Sequence, residues 1–238
     1  MTDLPNIINY NEIYNQLLNL SLDIYTPSAY IFPSRLSKYD VANANGSNLT
    51  LAGRERGIQQ LMRVNLLKRL ESSVHSFQLT LNRIYNRISD AISFINEFEQ
   101  SNKADIKLNE VDSEDFDMED QNTEYFTVWD KVQISLADMD YVRWRNALQN
   151  DLEIFENLIN SIKDITPEHD AKLQKLIELI SNKIENPINQ NNKKVLIFSA
   201  FADTAEYLYE NVRNFIKDKY HLDTAIVTGR YDVRSTIN

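Results

Sequence analysis

Ten apolar residues from Leu67 onward recur at alternating steps of three and four: Leu67, Leu70, Val74, Phe77, Leu81, Ile84, Ile88, Ala91, Ile95 and Phe98. That spacing keeps all ten on one side of a helix, as in a coiled-coil seam. It predicts a helix over residues 56–99, about 65 Å long at the usual rise per residue, long enough to protrude from a compact body. An apolar seam of this length needs a partner. Tyr141, Trp144, Leu148, Leu152, Phe155, Ile159 and Ile162 form a second stripe at helical spacing, so a helix over 138–164 is expected to fold back antiparallel on the first. Only 4 glycines and 5 prolines occur among 238 residues, which favours long helices over a strand-and-turn architecture. The segment between the two stripes is strongly acidic over 110–120 and reads as a solvated or disordered hairpin tip spanning 101–131.

Around this hairpin the chain divides further. Residues 6–20 carry a short helical pattern (Ile7, Ile8, Ile13, Tyr14, Leu17, Leu18) that stops before Pro27 and Pro33, because the residue preceding proline is pushed out of the helical region. An irregular stretch to about Thr50 follows. After the hairpin, Thr166 as cap and Pro167 in the first turn open a third helix whose buried face is Leu173, Leu176, Ile177, Ile180 and Ile184. Asn186-Pro187 ends it, and the polar residues 189–192 serve as a hinge. The expected units are 1–50, the protrusion at 51–165, the linking helix and hinge at 166–192, and a distinct unit at 193–238.

That last unit reads as β-α-β. Val195, Leu196, Ile197 and Phe198 are too continuously apolar for a half-solvated strand and suit a parallel sheet covered on both faces. Asp203 and Glu206 are spaced for a reciprocal cap of the next helix, and Ala205, Leu208, Val212, Phe215 and Ile216 make its apolar stripe. Residues 224–228 supply the return strand, ended by Gly229, expected to lie parallel to the first through a right-handed crossover. The fold class is therefore mainly α with a C-terminal α/β part.

Several function classes are excluded. The chain has no cysteine, hence no disulfide framework and no thiolate metal site, which is consistent with the cytoplasm. No apolar run approaches membrane-spanning length, and Met1-Thr2-Asp3-Leu4 does not open a signal peptide. A net charge of −10 argues against nucleic-acid binding over the whole surface. Basic residues nevertheless predominate from Arg54 to Arg87. In the seam register Lys68, Arg69 and Arg83 fall on the outer face; Arg56 and Arg63 fall inward, so either the register breaks near Asn65 or these arginines meet acidic partners. The acidic run lacks the glycine and spacing of an EF-hand loop. Gly46, Gly53, Gly57 and Gly229 are not spaced as a phosphate-binding loop, no acidic run suits magnesium, and His75, His169 and His221 are scattered. The reading is of no catalytic residue, no metal site and no cofactor in this chain.

The run KKVLIFSAFADTAEYL at 193–208 resembles the opening of the second RecA-like lobe of superfamily 2 helicases of the Swi/Snf type, where such a strand carries motif IV. The run DAKLQKL at 170–176 resembles the helix leading into that lobe. GRERG at 53–57 and LMRVNLLKRLESSVHSF at 61–77 are similar to a segment of bacterial helicase-related proteins, some with an added phospholipase-D-like domain. The resemblance implies a fragment of an ATP-dependent DNA helicase or translocase that supplies a helical protrusion and a partial RecA-like lobe. An upstream P-loop lobe would be its partner, with ATP and magnesium as cofactors of the whole protein and nucleic acid, DNA more than RNA, as its track. It further implies phosphate contacts near Ser199, Phe201 and Thr204, where helix N-terminal amides favour an anion; Arg63, Lys68 and Arg69 are candidate contacts from the basic face. A reading from another class is a helical module that docks a protein partner and has no nucleic-acid role.

Overall fold

The computed structural model describes residues 9–39, 50–101, 134–229 and 233–237. The acidic tip lies outside them. Six α-helices occur among the described residues: α1 (Tyr10–Asn19), α2 (Leu51–Ser72), α3 (Val74–Ser101), α4 (Tyr141–Ile162), α5 (Ala171–Glu185) and α6 (Ala202–Tyr220). Two short strands, β1 (Ala225–Ile226) and β2 (Arg234–Ser235), complete the fold. None of the described helices is long and apolar enough to cross a membrane. The chain divides into two compact units, one formed by Asn9–Leu67 with Thr80–Ile159, the other joining Lys68–Leu79 to Asn160–Asn238.

The first unit is the helical hairpin with its N-terminal wrap. Phe77, Leu81, Ile84, Ile88, Ala91 and Ile95 of α3 are buried, as the seam predicts. Trp144, Leu148 and Phe155 of α4 are buried likewise. The helices run antiparallel: the last turns of α3 meet the first turn of α4, where Arg145 pairs with Glu99 and the Phe98 ring packs edge-on against Tyr141 at 5.3 Å.

Upstream of Phe77 the seam differs from expectation. The helix is interrupted at Ser73, whose Oγ accepts from the Ser76 amide at 3.0 Å and so starts α3 afresh. The buried positions of α2 are Glu55, Ile58, Met62, Asn65, Leu66 and Arg69, whereas Leu67, Leu70 and Val74 are only half-buried. The stripe is thus continuous in steps of three and four but passes through polar residues. Of the two alternatives for the inward arginines, the register shift holds: Arg56 is exposed, and Arg63 donates to the backbone carbonyls of Leu20 (2.8 Å) and Leu18 (3.4 Å). Arg69 is the correction, being fully buried instead of on the outer face.

Residues 20–39, expected to be irregular, carry three short 3-10 turns (Asp23–Tyr25, Pro27–Tyr30 and Leu36–Lys38) and are held by buried carboxylates. Asp151 of α4 accepts from the Ser21 amide (2.7 Å), the Ser21 hydroxyl (3.0 Å) and the Leu22 amide (2.6 Å). Leu22 takes a left-handed backbone with φ 58°, which turns both amides onto one carboxylate. Glu55 of α2 accepts from the Ser28 amide at 3.1 Å and from the Ser28 hydroxyl. Burial pushes the Glu55 carboxyl up to about 8 against the opposing pull of the two Ser28 bonds. The Trp144 indole donates to the Asp23 carbonyl at 3.0 Å, and Asp138 accepts from Tyr39 Oη at 2.6 Å and Lys38 Nζ at 2.7 Å.

In the second unit, α5 and α6 bury Leu173, Ile180, Ile184, Val212 and Ile216 between them. The cap of α5 is Asp170, not Thr166: its Oδ1 accepts from the Lys172 and Leu173 amides, both at 3.0 Å. Thr166 and Pro167 instead begin a short 3-10 turn, Pro167–His169. A carboxylate one residue before the helix serves its free amides better than a threonine held back by proline. Likewise α6 starts without a side-chain cap after Phe201, because Asp203 turns to Arg69 and Glu206 to Arg234.

The expected parallel strand pair is absent among the described residues. Val195, Leu196, Ile197 and Phe198 belong to no helix or sheet, with relative exposures of 43, 79, 43 and 85%. The return strand shrinks to β1, which pairs antiparallel with β2 in the register Ala225↔Ser235 and Ile226↔Arg234. Closing this short local loop costs less chain entropy than a crossover, and Arg234 is anchored on α6 by Glu206 and Glu210. An exposed, unpaired segment stabilises nothing. Substituting Leu196→Ser and Phe198→Ser together is therefore expected to shift stability in urea by no more than about 0.5 kcal/mol; a larger loss would show that the segment is packed.

Candidate functional site

The polar centre of the second unit forms where the end of α2 and the start of α3 face the first turn of α6. Arg69 points inward because the shifted stripe passes through it, and its Nη1 donates to Asp203 Oδ2 at 3.0 Å and to Ser76 Oγ at 3.0 Å. The pair is dry, with side-chain exposures of 0% for Arg69 and 3% for Asp203. Its guanidinium lies over the Phe201 ring, 4.7 Å from the centroid. Thr204 Oγ1 is hydrogen-bonded to the hydroxyls of Ser72 (2.8 Å) and Ser73 (3.0 Å). Each charge also sits where its helix favours it, a cation in the last turn of α2 and an anion in the first turn of α6.

A cleft of about 320 Å³ adjoins this centre, lined by His75, Asp170, Glu206, Tyr207 and Glu210 among others. The His75 and Tyr207 rings are stacked, with centroids 4.8 Å apart and planes 11° from parallel. Tyr207 Oη donates to Asp170 Oδ2 at 3.1 Å. Burial, followed by the neighbouring Asp170 charge and this bond, pushes the Tyr207 phenol well up. Burial lowers the His75 imidazole against the opposing charge of Asp203, which favours the neutral ring.

Of the residues singled out in the sequence, Arg69, Phe201 and Thr204 come together, but their side chains face the interior: Phe201 is 7% and Thr204 4% exposed. Ser199 is exposed, its Oγ donating to the Phe201 carbonyl at 3.0 Å. Lys68 is exposed, and Arg63 belongs to the other unit. Among the described residues no group of three or more His, Asp or Glu side chains is arranged to hold a metal ion. The Arg69–Asp203 pair and the His75–Tyr207 stack are not evident from the seam as anchored at Leu67. Reaching Ser73 and Arg69 from Phe77 takes consecutive steps of four, a departure from the three-and-four alternation that the sequence does not announce, and no periodicity points to the His75–Tyr207 stack.

Comparison of the chain with protein families, with characterised proteins and with solved structures finds no match.

Proposed function

We propose that this chain is part of an ATP-dependent helicase or translocase of the Swi/Snf-like superfamily 2 type, supplying a helical protrusion and the opening of the second RecA-like lobe. One observation supports the reading above the others. Val195, Leu196, Ile197 and Phe198 have the composition of an interior sheet strand and lead into α6, yet all four are at least 43% exposed. Such a strand is stable in water only when flanked by others. The remaining strands of a RecA-like lobe would flank it. In that arrangement the Arg69–Asp203 pair ties the protrusion to the first helix of the lobe, and the exposed Ser199 and Lys68 are the side chains open to a phosphate. ATP and magnesium would be held by the P-loop lobe, since the chain's own glycines are not spaced to do so.

The test joins the chain to its P-loop lobe and to the rest of the second lobe, and measures ATP hydrolysis with and without DNA or RNA. Nucleic-acid-stimulated hydrolysis is the expected result, with the chain alone inactive. No stimulation by any nucleic acid, or micromolar ATP binding by the chain alone, would overturn the reading. A second reading, a helical module for a protein partner, is favoured by the exposed face of α1, where Tyr10, Tyr14 and Leu18 recur every four residues at 50, 40 and 49% exposure.

A further inference from the structure

We infer that the break between α2 and α3 is a latch set by Lys172 of α5: with that ammonium in place the two helices stay separate, and without it they join into one. The inference is independent of the helicase reading.

No residue from Arg69 to Phe77 compels a helix to stop. There is neither proline nor glycine among them, and the serines at 72, 73 and 76 disfavour a helix only mildly. The backbone ladder is intact on both sides of the gap. The Ser73 amide donates to the Arg69 carbonyl at 3.0 Å and the Phe77 amide to the Ser73 carbonyl at 3.1 Å, each four residues back as in an α-helix.

Between those two bonds the pairing is diverted twice. In an uninterrupted helix the Ser76 amide would donate to the Ser72 carbonyl; it donates instead to Ser73 Oγ at 3.0 Å. The Ser72 carbonyl accepts from Lys172 Nζ at 3.0 Å, and the same ammonium donates to the Glu71 carbonyl. A cation at this place also meets the negative end of the α2 dipole. A side chain inserted into the ladder is a known cause of a helix break. Here it arrives from 100 positions further along the chain.

The two diversions differ in what controls them. Ser73 Oγ belongs to the turn itself and competes at all times with the Ser72 carbonyl for one amide. Lys172 acts from outside that turn. Its neighbour Asp170 caps α5 through the Lys172 and Leu173 amides and accepts from Tyr207 Oη of α6 at 3.1 Å. The break in one helix therefore depends on where another helix begins. An amide with two acceptors in reach, and an external group that decides between them, is a two-state element. Lys172 is exposed, so a change that removes its charge can act on the latch without opening the core.

The test compares the unaltered full chain with Lys172→Met and Lys172→Arg by NMR, following the backbone carbon shifts of Ser72, Ser73 and Val74. Lys172→Met removes the donor and keeps an unbranched stem. It is expected to move the Ser73 shift to helical values and to produce a hydrogen-bond coupling between the Ser76 amide nitrogen and the Ser72 carbonyl carbon. Lys172→Arg, which keeps the charge and the donors, should match the unaltered chain. Unchanged shifts in Lys172→Met, or the same change in both variants, would overturn the proposal. Should Lys172→Met fail to fold, the unaltered chain decides: a coupling from Lys172 Nζ to the Ser72 carbonyl is expected, and one from the Ser76 amide to that carbonyl would overturn the inference.

Discussion

Arg69→Met is expected to destabilise the second unit by about 3–5 kcal/mol, because it removes from a dry interior the cation that pairs with Asp203. Asp203→Leu should cost a similar amount for the converse reason. The double variant Arg69→Met/Asp203→Leu should cost much less than the sum of the two, since removing both charges also removes the desolvation penalty that each carries. Ser76 and the Phe201 ring, which now contact the guanidinium at 3.0 and 4.7 Å, would then pack against apolar side chains of similar bulk. Urea unfolding of the three variants measures the coupling directly. Single variants within about 0.5 kcal/mol of the unaltered chain would mean that the pair is solvated and carries no such load.

Glu55→Gln is expected to change the pH dependence of stability more than its value at acid pH. The Glu55 carboxyl is raised from its ordinary 4.5 to about 8 by burial. Between those values the folded chain keeps a proton that the unfolded chain has released, so this group stabilises the fold most below about pH 4.5. Its contribution falls as the pH rises through 8. The loss across that window is on the order of a few kcal/mol at about 1.4 kcal/mol per pH unit. Glutamine keeps the oxygen that accepts from the Ser28 amide but cannot ionise, so Glu55→Gln should match the unaltered chain near pH 5 and exceed it at pH 8. The buried Asp151, also raised, contributes the same sign and stays in both proteins. Parallel stability curves for the two proteins between pH 5 and 8 would refute this account.

How much of this was legible before the structure depends on the range of the interaction involved. The helical hairpin was, because Phe77 to Ile95 and Trp144 to Phe155 repeat at helical spacing and a repeat is a local property of the chain. The end of α5 at Asn186-Pro187 was legible for the same reason, proline acting on its immediate neighbour. The anchor of the seam was not. Leu67, Leu70 and Val74 are as apolar as the residues that displace them from the interior, and only the presence of Asp203 and Thr204 opposite, over 130 positions later in the chain, makes it favourable to bury Arg69 and Ser73.

Position in the fold also decided which polar residues matter. Asp203 and Glu206 have the spacing of a helix cap, whereas Glu55 and Asp151 belong to no motif in the sequence. Each was instead drawn to a distant arginine or to unpaired backbone amides, because a buried donor left unmet costs more than a cap contributes. The strand residues 195–198 mark the other side of this division. Their sequence determines that they are apolar, but a strand becomes part of a sheet only through partners that its own residues do not specify. Helix periodicity, turn breakers and charge balance were therefore settled by the chain itself. The inward arginine, the clamped N-terminal segment and the stacked cleft were settled only by the fold, which alone brings charges and amides remote in sequence within 3.0 Å of one another.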